Sequence, residues 1–212
     1  MLTGGSTVNS TDAEIATLTV DGLANTDSFT VSALTRTATL TGGTEADTVV
    51  SSSDAAAVGL SDTSLTRDAL GAITLSGIET ATLTGGAGVN TFTVGSWTGT
   101  ANLDGGASAD SFIVNANAGA GTVNISDAAG ANTLTVNGTA GADTFTLSAP
   151  TGTTSRVVLT GGSTVNSTDA EIATLTVDGG ASADSFIVNA SAGGRTVNIS
   201  DAAGANTLTV NG

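Results

Sequence analysis

The chain has 212 residues and contains no Cys, His, Lys or Tyr; its four basic residues, Arg36, Arg67, Arg156 and Arg195, stand against 19 acidic ones, for a formal charge of -15. Phosphate backbones and anionic bilayers are recognised by clustered cations, so this balance argues against nucleic acid and membrane surfaces as partners. Aromatic residues make up only 3% although 39% of the chain is hydrophobic, which points to a thin, repetitive core.

Met1-Leu2-Thr3-Gly4-Gly5 lacks the basic head and apolar run of a signal peptide. No later stretch approaches the ~20 apolar residues of a membrane helix, so no membrane insertion is expected. From Leu2 to Gly22 the chain reads LTGGSTVNSTDAEIATLTVDG, and the same 21 letters return from Leu159 to Gly179. The segment Asp104–Gly138 returns as Asp178–Gly212, changed only at Asn117, Ala120 and Gly121. Such self-similarity is the mark of a stacked repeat, and it reads as a portion of a longer array.

The first short unit is Asp27-Ser28-Phe29-Thr30-Val31: a turn residue, a hydroxyl, a large apolar residue, an outward residue and a second apolar one. It recurs at 90–94, 110–114, 132–136, 143–147, 184–188 and 206–210, and all five Phe residues fall in its third position. Sister segments such as Thr37–Leu40, Thr80–Leu83, Thr122–Ile125 and Thr174–Val177 lie between, with the period-2 alternation of half-buried strands. Phe112 and Val114 are expected to face in, Ser111 and Ile113 out. Gly-Gly, Asn-Gly and Asp-Gly pairs punctuate the strands, and no segment carries a helical period.

Strand starts every ten to eleven residues predict an all-β parallel β-solenoid with about 20–22 residues per coil. About ten such coils at ~4.8 Å would make a rod roughly 50 Å long. Antiparallel hairpins in a sandwich are the competing arrangement. Recurrence of one residue type in one slot favours stacking. Residues 1–212 form one continuous repetitive segment, with an irregular coil or lateral loop expected near 51–70 and again near 148–155. Trp97 is expected as a cap or surface residue.

Gly85-Gly86-Ala87-Gly88-Val89-Asn90-Thr91-Phe92-Thr93 resembles the GGxGxDxUx nonapeptide of haemolysin-type calcium-binding repeats, with near matches at Gly105–Ile113 and Gly138–Thr146. More broadly, Ser76-Gly77-Ile78-Glu79 leading into the Phe unit is similar to the giant repetitive surface proteins of bacteria. The resemblance implies a solenoid in an extracellular or cell-surface setting. The nonapeptides here come one per coil rather than back to back, and Asn often stands where the calcium repeat has Asp.

Calcium takes six to eight oxygens from carboxylates and carbonyls, and stacked turns carrying Asp27, Asp47, Asp110, Asp143 and Asp184 offer such groups. Asp and Asn beside Gly are also ordinary turn residues, and stacked Asn side chains can bond coil to coil. Outward pairs such as Thr17/Thr19, Thr82/Thr84, Thr91/Thr93 and Thr207/Thr209 suit an ice-binding or carbohydrate-binding face; Thr also simply suits an exposed strand.

Catalysis is not expected, because no His, Lys, Cys or Tyr offers a general base. The acidic pairs Asp12/Glu14 and Asp169/Glu171 lack the aromatic platforms of a sugar-cleaving cleft. Open strand edges at both ends point to self-association, head to tail or within a longer array. The expected function is a structural, adhesive or filament-forming surface segment.

Overall fold

The computed structural model describes residues 15–116, 120–127, 129–151, 153–168, 170–189 and 195–212; Asp12, Glu14 and Asp169 lie outside them. Alternating apolar and polar residues make nearly every unit a strand, and the described residues contain no helix. In chain order the first strands are β1 (Thr17–Asp21), β2 (Ser28–Thr30), β3 (Thr37–Thr41) and β4 (Thr48–Ser52). Then come β5 (Ala57–Ser61), β6 (Ser64–Arg67), β7 (Ile73–Ser76) and β8 (Thr80–Thr84). The middle holds β9 (Thr91–Val94), β10 (Thr100–Asp104), β11 (Ser111–Asn115), β12 (Thr122–Ile125) and β13 (Asn132–Asn137). After these come β14 (Thr144–Thr151), β15 (Thr154–Leu159), β16 (Thr164–Thr168), β17 (Ile172–Asp178), β18 (Ser185–Asn189), β19 (Thr196–Ser200) and β20 (Thr207–Asn211).

The strands form two ten-stranded sheets, one ordered β1-β3-β7-β6-β5-β9-β11-β13-β17-β19 and the other β2-β4-β8-β10-β12-β16-β15-β14-β18-β20. Most neighbours are parallel and in register, as in Thr17↔Thr37 and Phe92↔Phe112. The chain is therefore all-β and solenoid-like, as expected. Inward residues of both sheets share one core that includes Leu40, Leu83, Phe112, Leu134 and Val177. Phe92 stacks on Phe112 at 5.5 Å between ring centroids, and Phe145 on Phe186 at 5.6 Å. Repetition of the slot thus becomes a ladder of offset rings.

At the two weakly patterned stretches, expected as irregular coils or lateral loops, the regular parallel stacking is interrupted by antiparallel zigzags within one sheet. β5, β6 and β7 run back and forth within the first sheet through two antiparallel pairings. β14, β15 and β16 do the same in the second. Each zigzag inserts two strands into one sheet, so the second restores the balance that the first upsets. Between them the repeat changes sides. Thr37-Ala38-Thr39-Leu40-Thr41-Gly42-Gly43 and its identical copy Thr80–Gly86 place their strands, β3 and β8, in opposite sheets. Ser111–Asn115 and its copy Ser185–Asn189, β11 and β18, are likewise split. The two sheets present the same alternating environment, so one sequence fits either. Trp97, expected as a cap or surface residue, is 2% exposed and belongs to the core.

Candidate functional site: the turn ladders and outer faces

Four six-residue turns, 22–27, 42–47, 105–110 and 179–184, share one backbone path, with positive φ at their second and fourth residues: Leu23 and Asn25, Gly43 and Glu45, Gly106 and Ser108, and Gly180 and Ser182. At Gly43 (φ 120°) a Cβ would stand 1.8 Å from the Leu23 carbonyl oxygen, so close stacking and conformation both demand glycine.

The sixth residue of each turn is a rung. Its side-chain oxygen accepts the backbone N–H of the equivalent residue in the preceding coil, so the Asp27 N–H donates to Asp47 Oδ1; the Asp47 N–H donates to Oε2 of Glu79, in the three-residue turn before β8. In the middle of the rod the Asn90 N–H donates to Asp110 Oδ1 and the Asp110 N–H to Asn132 Oδ1, each at 2.7 Å. The last ladder runs from the Asp143 N–H to Asp184 Oδ1 and from the Asp184 N–H to Asn206 Oδ1. Rungs are 20 residues apart at Asp27/Asp47 and 22 apart at Asp110/Asn132, the expected coil length. Because of the zigzags, the first and third ladders lie at turns leading from the first sheet to the second, and the middle one at turns leading back.

All five aspartates singled out for calcium occupy this one position, so the turns do bring equivalent residues into line. The structure uses them as rungs. The second oxygens of Asp27, Asp47, Asp110 and Asp184 are buried without a hydrogen-bond partner, whereas Asp143 Oδ2 accepts the Thr139 N–H at 2.6 Å. Among the described residues no three His, Cys, Asp or Glu side chains come together to hold a metal.

Asp127 and Asp201, not singled out in the sequence, replace the first glycine of their turns. A Cβ on Gly105 would lie 2.3 Å from both Asp110 Oδ2 and Asp127 Oδ2. On Gly179 it would lie 2.3 Å from Asp184 Oδ2 and 2.7 Å from Asp201 Oδ2. Burial pushes the Asp184 carboxyl above the ordinary aspartate value; the bond from the Asp143 N–H offsets part of this, and the Asp201 carboxyl adds to it. The aspartates spaced one 22-residue coil from a Gly-Gly turn were the signal for these pairs.

Arg67 is the other residue missed. It points inward from β6 and is buried, and its guanidinium donates to the carbonyl oxygens of Val31, Ser32, Leu34 and Gly71 and to Ser51 Oγ. Burial lowers its pKa. It ties the first zigzag to the turn after β2.

On the outer face of the second sheet, hydroxyls form one unbroken column: Ser28, Thr48, Thr80, Thr100, Thr122 and Thr164 are successive register partners. Beside it Asn124 Nδ2 donates to Asn102 Oδ1 at 3.0 Å, and Asn166 Nδ2 to Asn124 Oδ1 at 2.9 Å. Thr-x-Thr pairing itself is interrupted, since Val50 and Asn102 stand where Thr82 continues the second column. The depression over Gly59, lined by Ala57, Thr66, Arg67 and Thr93, has Asp68 as the single carboxylate among its lining residues.

Compared with protein-family models, curated proteins and solved structures, the chain matches none, so its functional reading rests on its own geometry.

Proposed function

We propose that this chain is a non-catalytic structural segment of an extracellular surface, adhesin or filament protein, which extends as a rod and self-associates end to end by β-stacking. The observation that carries the reading is the direction of the polar bonds. Ladder carboxylates, amides and strand N–H groups bond along the rod axis, coil to coil, as in Asp110 N–H to Asn132 Oδ1. Chemistry of that kind builds length rather than a cleft. The chain also contains no His, Lys, Cys or Tyr.

Sedimentation across a hundredfold range of protein concentration, with negative-stain imaging, tests the reading: concentration-dependent rods of increasing length are expected, and a monomer throughout would count against it. Calcium binding at Asp27, Asp47, Asp110, Asp143 and Asp184 is part of the proposal and is tested separately. Calorimetric titration should give heat and a higher melting temperature that a chelator reverses; no heat and no shift would remove calcium.

The hydroxyl column from Ser28 to Thr164 favours a second reading, in which this flat face binds ice or an ordered polysaccharide. Thr100→Lys interrupts the column without touching the core, because Thr100 faces out. Loss of ice shaping or of retention on insoluble glycan in the variant supports the reading. Absence of both activities in the parent chain sinks it.

A further inference from the structure

We infer that the chain holds two calcium ions, one at each place where a carboxylate of one coil meets a carboxylate of the next: Asp110 with Asp127 above Gly105, and Asp184 with Asp201 above Gly179. The inference rests on the calcium part of the proposed function and narrows it from five turn aspartates to two sites. The nonapeptide likeness does not supply these pairs, because it has glycine at the turn position where Asp127 and Asp201 stand.

In the turns that begin with glycine, the sixth residue aims a side-chain oxygen back at that glycine. What faces this oxygen from the next coil differs along the rod. A Cβ on Gly22 would stand 2.4 Å from Asp27 Oδ2 and 2.6 Å from the Gly42 carbonyl oxygen. On Gly42 it would stand 2.4 Å from Asp47 Oδ2 and 1.9 Å from the Gly77 carbonyl oxygen. One carboxylate meets a neutral carbonyl at both points. Above Gly85 the two oxygens belong to the Asn90 amide and the Gly105 carbonyl, so neither is charged. Only where aspartate replaces the next coil's first glycine do two carboxylate oxygens converge, at 2.3 Å each above Gly105 and at 2.3 and 2.7 Å above Gly179.

These two points also hold deeply buried oxygens that call for a ligand. Asp110 and Asp184 are each 2% exposed, and the Oδ2 atom of each has no hydrogen-bond partner. A buried carboxylate oxygen without a donor costs free energy, and a second carboxylate beside it adds to the cost. A divalent cation between the two oxygens cancels both charges. Donors that are all oxygen favour a hard ion. Calcium accepts carboxylates in irregular shells of six to eight oxygens, and turn carbonyls and water would complete the shell. Glycine at 105 and 179 leaves open the space that a Cβ would fill.

Calcium titrated calorimetrically into the chelator-treated chain should saturate at two equivalents. Asp201→Asn should leave one, and Asp127→Asn combined with Asp201→Asn should leave none. Asp27→Asn combined with Asp47→Asn should still bind two. Thermal unfolding with chelator present checks that the variants fold, and calcium should then raise the melting temperature of the parent but not of the Asp127/Asp201 double variant. Should an asparagine variant fail to fold, Asp201→Gly serves in its place, since glycine opens the 105–110 and 179–184 turns. Two equivalents that survive the Asp127/Asp201 change, or an equivalent lost with Asp27 and Asp47, would overturn the paired sites while leaving calcium binding standing. No heat from the parent chain would overturn both.

Discussion

Asp184 and Asp201, one coil apart, turn their Oδ2 atoms toward the same point above Gly179. Neither oxygen has a hydrogen-bond partner. Burial and the Asp201 carboxyl raise the Asp184 pKa, so the folded state holds its proton at a pH where the unfolded chain has lost it. Between the unfolded value and the raised folded value, stability therefore increases as pH falls; above the folded value the full penalty applies. Thermal unfolding should show a melting temperature that rises on acidification from neutral pH. Asp201→Asn should raise the melting temperature at pH 7 and flatten that slope. An unchanged slope in the variant would show that the pair is not the source.

Arg67 gives a second prediction. Its guanidinium replaces sheet neighbours for the carbonyls of Val31, Ser32, Leu34 and Gly71. Arg67→Met retains much of the apolar stem but leaves those acceptors without their donor. Bonds involving a charged group are worth about 1.5–3 kcal/mol, so a loss of about 2–3 kcal/mol is expected in urea unfolding. Hydrogen exchange should report the loss first in residues 31–36, and uniform loosening along the rod would contradict the tethering role.

The Asn ladder gives a third. Asn124 donates to Asn102 and accepts from Asn166, so Asn124→Ala removes two half-buried amide bonds at once. At about 1 kcal/mol per bond, a loss of about 1–2 kcal/mol is expected. Asn124→Thr, which matches the neighbouring hydroxyl column, should recover part of it through strand propensity. A neutral Asn124→Ala would mean that water replaces the ladder fully.

These residues also mark what was legible in the sequence. Alternation around Phe112 and Val114 fixed which residues face in, because a strand has only two faces and burial separates them. The 20- and 22-residue spacing of the turn aspartates was equally plain. The zigzags were not, because the pattern weakens across 51–70 and 148–155, as at TSRVVL, where Ser155 faces in, and even clean alternation carries no information on parallel or antiparallel pairing. Nor does a heptapeptide that recurs unchanged reveal that its copies lie in opposite sheets. The roles of Asp127 and Asp201 were hidden for a different reason. Each reads as an ordinary turn residue until the neighbouring coil brings Asp110 or Asp184 beside it.

The turn itself supports a final prediction through Leu23. It occupies the second turn position, where Gly43, Gly106 and Gly180 stand in the other coils, and it has φ 72° with its side chain largely in solvent. A non-glycine residue held there carries a strain of about 1 kcal/mol. Leu23→Gly relieves that strain while giving up little burial, although the added freedom of the unfolded chain offsets part of the gain. A net stabilisation of up to about 1 kcal/mol is expected, read as slower hydrogen exchange across residues 22–30. The reciprocal change, Gly43→Ala, imposes the strain and adds a Cβ 1.8 Å from the Leu23 carbonyl oxygen. Backbone cannot yield as a flexible side chain does, so a loss of at least about 2 kcal/mol follows. If both variants shift stability in the same direction, the shared left-handed turn is not what sets the spacing of the first two coils.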